Sequence, residues 1–169
     1  MSENFTEIDP ISIERNVFTL IGSEWMLLTG GTMDSFNTMT ASWGGMGVLW
    51  DRKVCFCFVR PTRYTFDFFE HSDAFSLSFF EEKYRSVLEY CGSHSGRDVD
   101  KIAHTGITPV SGAQNTVYFR EARLVVICRK IYFQDIQPSN FLDSGIETHY
   151  PQKDYHRLYI GEIIRCLKK

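Results

Sequence analysis

The run Val54-Cys55-Phe56-Cys57-Phe58-Val59 is apolar at every position, which suits a strand buried on both faces and little else of that length. Asp51-Arg52-Lys53 offers a turn before it, and Pro61 stops it. A strand of this kind needs partners, and the chain supplies them. Glu24 to Thr32 and Phe36 to Trp43 are β-prone runs joined by Met33-Asp34-Ser35 and read as a hairpin, followed by a flexible Gly44-Gly45-Met46-Gly47. Asp73 to Phe80, Asn115 to Phe119, Glu121 to Ile136 and Tyr155 to Leu167 read as further strands, the last broken at Gly161.

Helical spacing is brief. After Thr62, an available N-cap, Tyr64, Phe68 and Phe69 share a side. Tyr84 to Cys91 and Asp98 to His104 read as short helices around the loop Gly92-Ser93-His94-Ser95-Gly96, and Ser139 to Pro151 has no clear assignment. Helices that interrupt strands without alternating with them argue against a doubly wound parallel sheet. The expectation is a mainly β chain, a small closed or half-closed barrel with a few short peripheral helices.

At 169 residues and 43% hydrophobic content, residues 1–169 fit one domain with an ordinary core. Five cysteines are an odd number without repeated ligand spacing, so reduced thiols are expected. Cys91 and His94 form a Cys-x-x-His pair, and Cys55 and Cys57 share a strand face. No second pair has ligand spacing, so no metal site is assigned. A net charge of −3 provides no field for nucleic acid or an anionic membrane. With no run of 18 apolar residues and no basic-apolar leader in Met-Ser-Glu-Asn-Phe-Thr-Glu, a cytoplasmic location is expected.

Three segments are rich in hydrogen-bond donors. In Asn37-Thr38-Met39-Thr40-Ala41-Ser42-Trp43, strand alternation puts Thr38, Thr40 and Ser42 on one face, either solvent-exposed or cradling a polar ligand. Arg60-Pro61-Thr62-Arg63-Tyr64-Thr65 sets two guanidinium groups and hydroxyls at a strand-to-helix junction, where free amides suit a phosphate; an ordinary capped helix is the plain alternative. Ser93-His94-Ser95-Gly96-Arg97-Asp98-Val99-Asp100-Lys101 is a small-residue loop whose Lys101 could turn back to an anion. No paired carboxylates accompany them, and neither a dinucleotide-binding glycine motif nor a P-loop is present. The implied ligand is an anion bound locally.

Together these segments, with Asp154-Tyr155-His156-Arg157-Leu158-Tyr159-Ile160-Gly161-Glu162-Ile163 near the end, resemble the flavoredoxin branch of the flavin reductase-like family in order and spacing. The resemblance implies a Greek-key split β-barrel that binds FMN, working as a homodimer with the flavin near the interface. By position, it implies that Asn37, Thr38, Met39, Thr40, Ala41 and Ser42 contact the flavin and ribityl chain. Arg60, Arg63, Thr65 and Lys101 would surround the phosphate, with Thr62, Tyr64, Ser93 and Ser95 counted among the cofactor-binding residues. It leaves open a reductase drawing on NAD(P)H and passing electrons to free flavin, a metal complex or a partner oxygenase. The alternatives are a carrier exchanging electrons with redox proteins and a barrel for another ligand. No residue is assigned a catalytic role, and His149 and His156, like Tyr155 and Tyr159, are expected to serve packing.

Overall fold

The computed structural model describes residues 5–169, so the first four residues of the N-terminal stretch read above lie outside it. In chain order the strands are β1 (Thr6–Glu7), β2 (Met26–Thr32), β3 (Ser35–Ala41), β4 (Gly44–Leu49), β5 (Arg52–Val59), β6 (Ala74–Phe79), β7 (Pro109–Ser111), β8 (Val117–Phe119), β9 (Leu124–Asp135) and β10 (Arg157–Lys168). The α-helices are α1 (Tyr64–Glu70), α2 (Arg85–Ser93) and α3 (Lys101–Thr105). The main sheet runs β3-β2-β6-β9-β10-β5-β4, with β1 added to β10, and every pairing in it is antiparallel.

The two ends of that path, β3 and β4, are consecutive in the chain, with only Ser42 and Trp43 between them. Three peptide units reach at most about 11 Å, so the sheet has to curl until its edges nearly meet. They do not hydrogen-bond, which leaves the barrel split along that seam. The barrel interior holds Met26, Leu28, Met39, Ala41, Cys55, Cys57, Val59, Phe75 and Leu77. A second apolar layer, with Leu27, Val125 and Ile127 from the outer face and Leu88 and Cys91 from α2, seals the sheet from outside. Strands buried on both faces carry apolar runs, Met26-Leu27-Leu28 in β2 and Leu124 to Cys128 in β9.

The β2–β3 hairpin closes in the expected place, with Thr32 opposite Ser35. Several local readings need correction. Gly44–Gly47 is not a flexible link but the start of β4, paired with β5, where Gly44 at φ 153° lies so close to the Phe56 carbonyl that a Cβ would sit 2.6 Å from it. The next turn is at Trp50 and Asp51, both at positive φ, so Arg52 and Lys53 already belong to β5. Arg63, not Thr62, is the N-cap of α1, and it caps without its side chain. Gly92 and Ser93 complete α2, while α3 begins at Lys101 because the Asp100 carboxylate accepts from the Ile102 and Ala103 amides. Gly161 does not end its strand: the register with β9 shifts between Ile160 and Gly161, a bulge inside continuous β10. Residues 139–151, unassigned from sequence, contain two short 3-10 turns.

One pair of glycines places the first helix. A Cβ at Gly30 would lie 2.8 Å from Phe69 Cδ2, and one at Gly31 would lie 3.0 Å from Phe68 Cδ1. Only bare backbone at this end of β2 lets α1 pack so closely, which brings its first turn against β3.

Candidate functional site

Asn37 on β3 and Thr65 on α1 meet at that contact, both buried, with Asn37 Nδ2 donating to Thr65 Oγ1 at 2.8 Å. Opposite them stands the end of α2, whose last carbonyls attract cations. Lys101 Nζ donates to Cys91 O at 2.9 Å and to Thr38 O at 2.8 Å, so one lysine ties α2 to β3. Arg63 donates to Gly92 O at 2.9 Å and to Cys91 O at 3.4 Å.

These groups enclose a cavity of about 160 Å³ lined by Asn37, Thr62, Arg63, Tyr64, Thr65, Ser93, Ser95 and Lys101, together with His94 and Gly96. All three donor-rich segments thus contribute to one concave site. Among the described residues, neither Arg63 nor Lys101 has a carboxylate in ion-pair distance. Burial, and then the nearby Arg63, push Lys101 down to about 8. Burial and Arg60 lower Arg63 in the same way. Carbonyl dipoles offset part of this charge, but two half-enclosed cations without an anion make a site complementary to one. Two of the three N–H groups of Lys101 and two of the five of Arg63 are committed to carbonyls, which leaves donors for a ligand.

The structure separates the remaining candidates. Arg60 does not join the cavity: its guanidinium donates to Asp154 Oδ1 at 2.9 Å and His149 O at 2.9 Å, and lies 5.0 Å from the Tyr150 ring centre. Thr62, on the cavity rim, also reaches Asp154, at 3.3 Å. The face shared by Thr38 and Thr40 is neither exposed nor a free cradle. Thr38 Oγ1 donates to Leu28 O at 3.2 Å, and Thr40 Oγ1 donates to Leu88 O beneath α2. Met39 and Ala41 point into the barrel core, so only their backbone could meet a ligand, whereas Ser42 is half-buried at the seam. Ser93 Oγ donates back to Glu89 O at 2.8 Å, and Ser95 Oγ accepts from the Arg97 amide at 3.2 Å.

Two contributors escaped the sequence reading. His94 lines the cavity, its ring stacked 4.0 Å from Tyr90, which in turn stacks 3.8 Å from His104. Gly96 is packed so tightly that a Cβ would lie 2.1 Å from Asn37 Oδ1. The Ser-Gly pair was a signal for the second; the stack had none, because it joins two helices. Near the seam, half-exposed Trp43 lies edge-on to His149 at 5.4 Å and 5.1 Å from His156, giving a flat aromatic surface. His156 is buried against Phe58 and hydrogen-bonded to Tyr150 through Nδ1 at 2.9 Å, as a packing role requires. Tyr159 is fully buried, but Tyr155 rests half-buried on Tyr150 outside the core. Cys91 is buried in the outer apolar layer, and Cys55 and Cys57 lie in the barrel interior.

An antiparallel split barrel with a cationic pocket between its first helix and its wall defines a class of small-ligand-binding domains. The flavin reductase like domain model matches residues 19–168, and the chain belongs to that family. Two flavoredoxins share the fold. The one from Methanosarcina acetivorans is 21% identical with a TM-score of 0.68, covering 96% of this chain and 76% of its own. The one from Desulfovibrio vulgaris (Miyazaki F) is 22% identical with a TM-score of 0.68, covering 96% and 77%. An NADH:FAD oxidoreductase from Streptomyces globisporus is 16% identical with a TM-score of 0.65, covering 86% and 75%. No curated protein matches the sequence. Among the described residues, no helix is long and apolar enough to cross a membrane.

Proposed function

We propose that the chain is a single FMN-binding domain acting as a flavin reductase-type oxidoreductase, with Arg63, Thr65 and Lys101 holding the phosphate. The observation that carries this reading is the pair of enclosed cations without a carboxylate. FMN phosphate is a dianion and supplies what they lack. Asn37 keeps the Thr65 hydroxyl oriented by donating to its oxygen, so that Thr65 can spend its own proton on a phosphate oxygen. From there the ribityl chain would follow the β3 backbone toward Ser42, and the ring would lie by the Trp43 surface. Bound FMN supplies hydride and electron chemistry; the chain's part is to position it and to set the charge around it. No side-chain acid or base is required for that.

NAD(P)H as donor is part of this proposal, and the family and the oxidoreductase neighbour support it. Two flavoredoxin neighbours favour a second reading, a carrier that keeps FMN and exchanges electrons with a redox protein or oxygenase. We further propose a homodimer in the cytoplasm, with the seam and its aromatic surface near the subunit contact. Anaerobic titration of the FMN-loaded protein with NADH and NADPH tests the enzyme reading. Bleaching of the yellow absorbance within seconds supports it. Unbleached flavin that dithionite then reduces contradicts the enzyme and favours the carrier, and failure to bind FMN contradicts both.

A further inference from the structure

His94 is an exposed residue that lines the phosphate cavity, and its ring is held in one orientation. It lies 4.0 Å from the Tyr90 ring, 19° from parallel, and Tyr90 stacks on His104 at 3.8 Å and 5°. Two rings cannot share one face at that distance, so Tyr90 is sandwiched between the imidazoles. The Nδ1 of His94 has two neighbours, Ser93 Oγ at 3.0 Å and Tyr90 O at 3.2 Å. A carbonyl only accepts, and the Ser93 hydroxyl already donates its proton to Glu89 O at 2.8 Å. Nδ1 therefore carries a hydrogen in both charge states of the ring, and the proton that comes and goes belongs to Nε2. Among the described residues Nε2 has no hydrogen-bond partner.

This fixes what the ring offers an anion. Neutral, Nε2 presents a lone pair, which a phosphate oxygen avoids, and exchanging the tautomer would turn a bare Nδ1 against the Tyr90 carbonyl. Protonated, Nε2 presents an N–H that carries positive charge, the strong kind of phosphate donor. Histidine is the side chain that makes this change between about pH 5 and 8. The charged and titratable groups around it are Tyr90 against its face, His104 and Lys101 from α3, and Arg63 and Tyr64 at the start of α1. No carboxylate among the described residues lines the cavity, so an entering anion is the partner an imidazolium finds there.

We propose that His94 is a pH-dependent phosphate ligand: its protonated Nε2 donates to the FMN phosphate beside Arg63 and Lys101, and FMN is held more tightly as the pH falls through the histidine range. The inference rests on the FMN reading and adds to it a proton-controlled hold on the cofactor.

Titrating FMN and riboflavin into the wild-type protein, His94→Gln and His104→Gln at about pH 6, 7 and 8.5 tests it. Each substitution removes one ring of the stack, but only His94 lines the cavity, so His104→Gln reports what the stack alone contributes. The phosphate itself takes up a second proton near about pH 6, so the quantity to read is the affinity of wild type relative to each variant at one pH. Relative to His94→Gln, wild type should bind FMN about tenfold more tightly at the acid end, as one charge-assisted hydrogen bond allows, and within about twofold at the alkaline end. His104→Gln should follow wild type throughout, and riboflavin should not distinguish the three proteins. A ratio for FMN that is constant with pH, the same trend with riboflavin, or its loss in His104→Gln as well overturns the assignment of Nε2 to the phosphate. FMN still binds in each of those outcomes. Failure of FMN to bind at any pH overturns the flavin reading itself, so the two failures are distinguishable.

Discussion

Arg63 and Lys101 donate to the same acceptor, the main-chain carbonyl of Cys91, at 3.4 and 2.9 Å. Burial lowers both side chains; Arg63 adds to the depression of Lys101, and Arg60 adds to that of Arg63. The end of α2 compensates part of the cost, and an anion between them would compensate more. The local electrostatics therefore favour an anion at this point.

The arginines should behave differently. Arg63→Ala is expected to weaken FMN by about tenfold to a hundredfold, the worth of a charge-assisted bond. Arg60→Ala should change FMN affinity by less than about threefold, because the Arg60 guanidinium is turned to Asp154 and the His149 carbonyl. Isothermal titration of FMN into both variants checks this. A larger loss for Arg60 would return it to the phosphate site.

FMN affinity should depend on pH through Lys101, which titrates near 8 in the free protein. A bound phosphate dianion stabilises the ammonium form and raises that value. Binding then takes up a proton above about pH 8, and affinity falls by up to about tenfold per pH unit as pH rises further. Riboflavin, lacking phosphate, should show no such slope between pH 7 and 9. Parallel profiles for the two ligands would contradict the assignment.

His156 sets a pH dependence of stability. Burial, and then Arg60, push it down to about 4 from 6.5. The folded value lies below the unfolded one, so between those pH values the unfolded chain binds more protons. Stability therefore rises from about pH 4 to about pH 6.5 and levels off above, by at most about 3 kcal/mol. Urea denaturation of wild type and His156→Gln across this range should show the slope in wild type and a reduced slope in the variant.

Gly161→Ala should be strongly destabilising. An added methyl would sit 2.5 Å from Phe75 Cζ and 2.6 Å from Cys128 Cβ, in a packed interior with no room to yield. Overpacking of this kind costs about 1–3 kcal/mol, read as a lowered urea midpoint at unchanged slope. An unaltered midpoint would mean that the bulge in β10 is free to move.

Much of the barrel was legible because its strands carry their burial in their composition. Val54 to Val59 is a strand as expected, with Val54, Cys55, Cys57 and Val59 buried, but Phe56 and Phe58 on its other face are only half-buried, and the Met33-Asp34 turn was marked by the runs around it. Gly44 to Gly47 was misread because β4 is held by β5 across the hairpin, a partner that local propensity does not reveal. The donor-rich segments were legible one by one, and Arg63, Thr65 and Lys101 from two of them line one cavity. What one-dimensional spacing could not give was direction. Asp154, distant in sequence, draws Arg60 away, and Leu28 and Leu88 carbonyls absorb the Thr38 and Thr40 hydroxyls.

The most direct test of the account is to titrate FMN and riboflavin side by side into the wild-type protein and Lys101→Met, a substitution that keeps the buried stem and removes the charge together with the bonds to Thr38 O and Cys91 O. FMN should bind wild type and lose about tenfold to a hundredfold in the variant, while riboflavin affinity stays unchanged within error. Equal losses for both ligands, or no loss for FMN, would contradict a phosphate site at Lys101 and with it the proposed placement of the flavin.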